Sequence, residues 1–123
     1  MKTSTVVRVA DNSGPCYVRI IKVLRTSPLG IAKIGHHMVA SVLYVHDRPK
    51  FKVVKGSLVR AMCIRMADTL QRKEDHRLRF QYPAVAIVTR AGLPKGTTLF
   101  GPIPKELREK GYIRLVSLST IAL

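Results

Sequence analysis

Short runs rich in Val, Ile and Ala recur along the chain, and clusters of turn-forming residues separate them. Residues 3–10 (TSTVVRVA) are β-branched and stop at Asp11-Asn12-Ser13-Gly14-Pro15, an unbroken row of turn formers. Residues 16–24 (CYVRIIKVL) resume an apolar run that Arg19 and Lys22 interrupt, so the expected opening unit is strand, turn, strand. Residues 38–45 (MVASVLYV), 58–66 (LVRAMCIRM) and 80–89 (FQYPAVAIVT) read as three further strands, and 113–118 as a last one. Between them, residues 25–35 carry Pro28, Gly30 and Gly35 and read as an extended loop or protruding ribbon outside the core. Residues 67–79 turn polar without a sustained period and read as an exposed loop. Short strands divided by turn clusters, with one short helix near the end, describe a mainly β fold closed into a small barrel. A length of 123 residues fits one domain spanning 1–123.

The end of that domain is a distinct loop and helix unit at about 95–123 (KGTTLFGPIPKELREKGYIRLVSLSTIAL). Pro104 stands where a first helical turn tolerates proline, Glu106 falls in the positive first turn, Lys110 lies in the last turn and Gly111 supplies a left-handed stop. The expected helix over 104–110 is too short to hold alone, so it must dock, through Leu107 and the apolar run 100–103. A unit of this kind can cap a barrel end. Its exposed basic set, Lys105, Arg108 and Lys110, exceeds what a cap needs and points to a contact surface as well.

Composition adds a polyanionic partner. Lys and Arg number 22 against 7 Asp and Glu, a formal charge of +15. With 46% apolar residues this is a folded chain rather than a disordered basic tail. A folded domain so charged repels itself unless a polyanion neutralises it, and nucleic acid is the usual one. Residues 13–46 and 76–105 contain no acid at all. Those stretches and the strand margins nominate Arg19, Lys22, Arg25, Lys33, Arg60 and Arg65 as nucleic-acid contacts. In 47–56, Arg48, Lys50, Lys52 and Lys55 follow one another at intervals of two or three residues, a spacing that in extended backbone turns the first three to one side, toward phosphates. A membrane is not the expected partner: the sequence has no basic amphipathic helix, no apolar run of spanning length and no signal-peptide pattern.

Catalytic chemistry finds little support. The acids are scattered, and Glu106 and Glu109 sit among Lys105, Arg108 and Lys110 as a solvated helix face. His36 and His37 diverge if the backbone is extended, and no His or Cys spacing resembles a metal site; neither metal nor cofactor is expected. Gly96 and Gly101 have the spacing of a phosphate loop, but Pro102 and Ile103 occupy the positions that Lys and Ser or Thr would need. Cys16 and Cys63 lie in apolar strand patterns and read as buried, unlinked thiols.

Together, VADNSG (9–14), IKVL (21–24), VKGSLVRA (54–61), KGTTLFGPIPKELR (95–108) and LVSL (115–118) resemble the universal large-subunit ribosomal protein numbered fourteen, over nearly the whole chain. The resemblance implies a five-stranded barrel with a C-terminal loop and short helices. It also implies a structural, non-enzymatic role on the face of the large subunit that meets the small one. Members bind large-subunit rRNA, neighbour other large-subunit proteins, bridge to small-subunit rRNA and receive an anti-association (silencing) factor. On that basis Thr97, Thr98, Lys105, Arg108, Lys110 and Arg114 form the expected inter-subunit or factor surface. Bacterial members commonly carry Thr-Arg where this chain has Thr97-Thr98, and a family lysine corresponds to Arg114. Residues 66–76 and 80–83 also depart from the family pattern. These departures point to an organellar ribosome, mitochondrial rather than plastid, with the bacterial cytoplasm or a plastid as the alternative location. Charge and barrel alone leave a second reading, a free single-stranded nucleic-acid-binding barrel. It would need an aromatic stacking surface, and Tyr17, Tyr44, Phe51, Phe80, Tyr82, Phe100 and Tyr112 are scattered in sequence.

Overall fold

In the computed structural model, which describes residues 2–24, 31–45, 54–67, 70–71, 77–119 and 121–123, five strands close a barrel. They are β1 (Val6–Val9), β2 (Pro15–Val23), β3 (His37–Val45), β4 (Leu58–Arg65) and β7 (Ala84–Ile87), in the order β1-β2-β3-β4-β7. Neighbours pair antiparallel except β1 and β7, whose parallel register (Arg8↔Ala84, Val9↔Val85) joins the two edges. Closure leaves the described barrel strands no open sheet edge. Inside, Val7, Val18, Ile20, Val23, Met38, Ala40, Val42, Ala61, Cys63 and Val85 are buried.

The strand positions follow the sequence reading, but three details needed the structure. Arg19 and Lys22 cannot both point outward in a strictly alternating strand. The register shift between Ile20↔Ala40 and Lys22↔Val39 inserts Ile21 as an extra residue, so Ile21 and Lys22 are both exposed and Val23 returns to the core. Residues 67–79, expected as loop, include a small antiparallel pair, β5 (Leu70–Gln71) with β6 (Arg77–Leu78). Arg79 Nε ties the base of this pair by donating to the Ala67 carbonyl at 3.0 Å. The stretch 31–35, expected outside the core, is part of it: Ala32 and Ile34 are buried and Gly35 supports the C-terminal unit.

Two helices end the fold, α1 (Glu106–Glu109) and α2 (Ile113–Leu118). The expected first helix is present, with its opening turn closed on the Pro104 carbonyl and its stop at Gly111, which has φ +94°. Residues 113–118 are helix, not strand. The apolar positions there do not alternate; Tyr112, Leu115 and Val116 fall three and four apart, the period that puts all of them on one helical face against the core. Docking therefore outweighs the β-branched character of Ile113 and Val116.

Leu99, Ile103, Leu107, Leu115 and Val116 join the barrel in one buried cluster. Phe100, expected among the docking residues, is 56% exposed. The chain reverses at Gly101 (φ +83°), whose missing Cβ leaves room for the Arg65 guanidinium. Cys63 is buried, which pushes its thiol pKa up to about 12, whereas Cys16 is half-buried; both are free.

Candidate nucleic-acid interface

Asp11 locks the β1–β2 turn to the barrel and to the C-terminal loop. Its Oδ1 accepts from the Ser13 N–H at 3.1 Å and the Ser13 hydroxyl at 2.6 Å, and its Oδ2 accepts from the Ile87 N–H at 2.9 Å. Burial raises the Asp11 pKa, and these hydrogen bonds oppose the rise without cancelling it. Beside it, Asn12 Oδ1 accepts from the N–H groups of Thr97 (2.7 Å) and Thr98 (3.1 Å), while its Nδ2 donates to the Thr97 hydroxyl at 2.7 Å. Thr97 and Thr98 are exposed on a loop whose backbone is held by one side chain. The same bonds occupy the N–H groups that a phosphate loop would need free.

Around the opposite margin of the C-terminal unit lies an open cavity of about 360 Å³, lined by Leu24, Gly35, His36, His37, Arg60, Arg90, Ala91 and Tyr112. Its basic groups come from separate segments. Arg60 Nε donates to His37 Nδ1 at 2.8 Å; the other ring nitrogen, Nε2, lies 3.4 Å from the Tyr112 hydroxyl. An acceptor at Nδ1 places the His37 proton on Nε2, facing that hydroxyl. His36 and His37, expected to diverge, both line this cavity, because His36 sits in the turn before β3. Its Nδ1 accepts from the Lys33 N–H at 3.0 Å. Burial first, then the charges of Lys110 and Lys33, lower the His36 pKa, so this ring is neutral at pH 7. Lys22 and Arg60 both lie opposite Val39 in the ladder, on either side of it. Among the described residues no acid lines the cavity.

Of the residues nominated from sequence, Arg19, Lys22, Lys33, Lys55, Lys105, Arg108, Lys110 and Arg114 are exposed and Arg60 is half-buried. Arg25, Arg48, Lys50 and Lys52 lie outside the described residues. Arg65 is turned to the protein: its Nη1 donates to the carbonyls of Phe100 (3.0 Å) and Pro102 (3.4 Å), so it fastens the loop before α1. Lys110 divides its role, since its Nζ donates to the Ile34 carbonyl at 3.0 Å and its stem covers Gly35. Sequence reasoning overlooked His36, His37, Arg90 and Tyr112 as one group. Each is unremarkable alone, and only barrel closure and the docking of α2 bring them to one cavity.

Among the described residues the acids are Asp11, Glu106 and Glu109, and Asp11 is buried. The described exterior is thus almost purely cationic, on a rigid barrel with a fastened C-terminal loop. The family model for ribosomal protein L14p/L23e matches residues 1–123. The chain belongs to this family and is a structural constituent of the large ribosomal subunit.

Proposed function

We propose that this protein binds large-subunit rRNA through the cationic margin around the cavity and through Arg48, Lys50, Lys52 and Lys55, and turns its C-terminal unit toward the small subunit. Thr97, Thr98, Lys105, Arg108 and Arg114 then contribute to bridges with small-subunit rRNA, and the same surface receives an anti-association factor on free subunits. Neighbouring large-subunit proteins complete its surroundings. The ribosome is mitochondrial in this reading, which rests on the departures of 66–76, 80–83 and Thr97-Thr98 from the bacterial pattern.

The observation that carries rRNA binding is that Arg60 and Arg90 line one cavity with no acid among the described lining residues, with Lys22 in the same ladder row as Arg60 and Lys33 bonded through its backbone to the cavity residue His36. Phosphate contacts release counterions, so affinity must fall steeply with salt. Neutralising Arg48, Lys50, Lys52 and Lys55 together flattens the slope of log affinity against log salt by roughly three and a half, if each neutralises a duplex phosphate. Neutralising Lys22, Lys33 and Arg90 flattens it by somewhat less than three. Slopes unchanged in both variants, measured with a large-subunit rRNA fragment, overturn the reading. Cosedimentation of the native protein with mitochondrial large subunits through high salt tests the assembly and the compartment together.

A further inference from the structure

Three of the four tyrosines, scattered in sequence, meet on the outside of the barrel. Arg8 of β1 lies directly opposite Tyr17 of β2, and Tyr17 directly opposite Tyr44 of β3. The two rings meet edge to face, with centroids 6.1 Å apart and planes at 85°. Arg8 also places its guanidinium carbon 4.5 Å from the centroid of Tyr82, just ahead of β7, while Lys55 Nζ stands 5.6 Å from the centroid of Tyr44. The result is a row across β1, β2 and β3, from Tyr82 just ahead of β7 to Lys55 just ahead of β4, in which cations flank aromatic rings.

A β-bulge creates this row. Val18 pairs with Val42 and Tyr17 with Tyr44, so Leu43 is an extra residue on β3. Strict alternation would turn Tyr44 to the side of buried Val42. The bulge re-aims it outward beside Tyr17. Folding has little use for the outcome: Tyr44 is 62% exposed, Tyr82 44% and Tyr17 36%. Exposed tyrosines with cations at their edges are the combination that binds single-stranded nucleic acid, since every base has a face to stack and every nucleotide a phosphate to neutralise. The described acids do not oppose it, Asp11 being buried and Glu106 and Glu109 lying on α1.

We infer that the outer face formed by Tyr17, Tyr44 and Tyr82 with Arg8 and Lys55 is a stacking surface for unpaired bases of RNA. The rings take two or three unstacked bases, and Arg8 and Lys55 take the phosphates beside them. The inference rests on the rRNA-binding reading for its ligand but concerns a different surface from the cavity margin.

The chain has no Trp, and Tyr17, Tyr44 and Tyr82 are three of its 4 tyrosines, so intrinsic tyrosine emission reports on this face. The probe is an unstructured polyuridine oligoribonucleotide of about ten nucleotides, within the range of single-strand sites. Its titration into the full-length protein is expected to quench tyrosine emission, and an RNA duplex of equal length to quench it far less. Tyr44→Leu and Tyr17→Leu are each expected to weaken single-strand binding by roughly five- to a hundredfold without changing the salt slope. Tyr44→Phe and Tyr17→Phe, which keep ring and fold, should bind as the parent does. Leu variants that bind single strands like the parent, or a loss shared by the Phe variants, overturn the inference. Unchanged RNA affinity with lost incorporation into subunits also overturns it and assigns the face to a neighbouring protein. Because the cavity-margin and 48–55 variants change the salt slope and these do not, failure here leaves the rRNA-binding reading standing.

Discussion

Along β2 and β3 buried and exposed side chains mostly alternate, whereas residues 61–64 of β4 and Ala84–Ile87 of β7 are buried without alternation. The first wall has a core on one side and solvent on the other. The second is buried throughout, and the C-terminal segment joins its buried cluster as a cover, through Leu99, Ile103, Leu107, Leu115 and Val116. Gly92 shows how closely the cover fits: a Cβ there would come within 2.7 Å of the Tyr112 ring. A small barrel thus buys stability on one wall with its own C-terminus and leaves the other wall to carry exposed tyrosines and cations. The covered wall should be sensitive to truncation of apolar side chains, and the bare wall indifferent to it in stability while sensitive in binding.

The largest effect is expected where the cover is anchored. Leu107→Ala should cost about 2–5 kcal/mol, because its side chain is fully buried against the barrel. Phe100→Ala, seven residues earlier and 56% exposed, should stay within about 1 kcal/mol. Denaturant midpoints of the two variants test the comparison, and similar losses would show that the exposed ring matters to the cover after all.

A smaller effect should come from the seam that joins the β1–β2 turn to β7. Asp11→Ala leaves the buried Ile87 N–H without its acceptor, at about 1–3 kcal/mol. The seam also has an unusual pH signature. Asp11 has its pKa raised, mainly by burial, so the native state holds this proton more tightly than the unfolded chain. Its contribution to stability is therefore fully present below the unfolded carboxyl pKa and is lost as pH rises through the folded one. The stability of Asp11→Asn relative to the parent should accordingly fall as the solution is acidified from neutrality toward pH about 4. Equilibrium unfolding of both proteins across that range reads the sign directly.

The smallest stability effects separate tether from surface on the cover itself. Lys110→Met keeps the stem over Gly35 but loses the bond to the Ile34 carbonyl, at about 0.5–1.5 kcal/mol. Arg108→Glu, on an exposed position of α1, should leave stability within about 0.5 kcal/mol and weaken subunit joining or factor binding. Thermal melts beside subunit-association measurements distinguish them. A melt in which Arg108→Glu loses as much as Lys110→Met would make α1 only a cap.

The amino-acid sequence determined the strands through their short β-branched runs, the helix 104–110 through its Pro, Glu, Lys and Gly ends, and the expectation of a polyanionic partner through a charge of +15. These are local or additive properties, legible without knowing what touches what. The tertiary structure decided what depends on registry and docking. It made 113–118 a helix, because the apolar spacing there has a use only once the core is beneath it. It turned Arg65 inward to the Phe100 and Pro102 carbonyls, although its place at a strand margin looked like that of a surface cation. It brought His36, His37, Arg90 and Tyr112 to one cavity across gaps that no motif spans. The bulge at Leu43 is the clearest case: one extra residue in the ladder reverses the side to which Tyr44 points, and alternation read along a single strand cannot register a residue that only its partner strand reveals as extra.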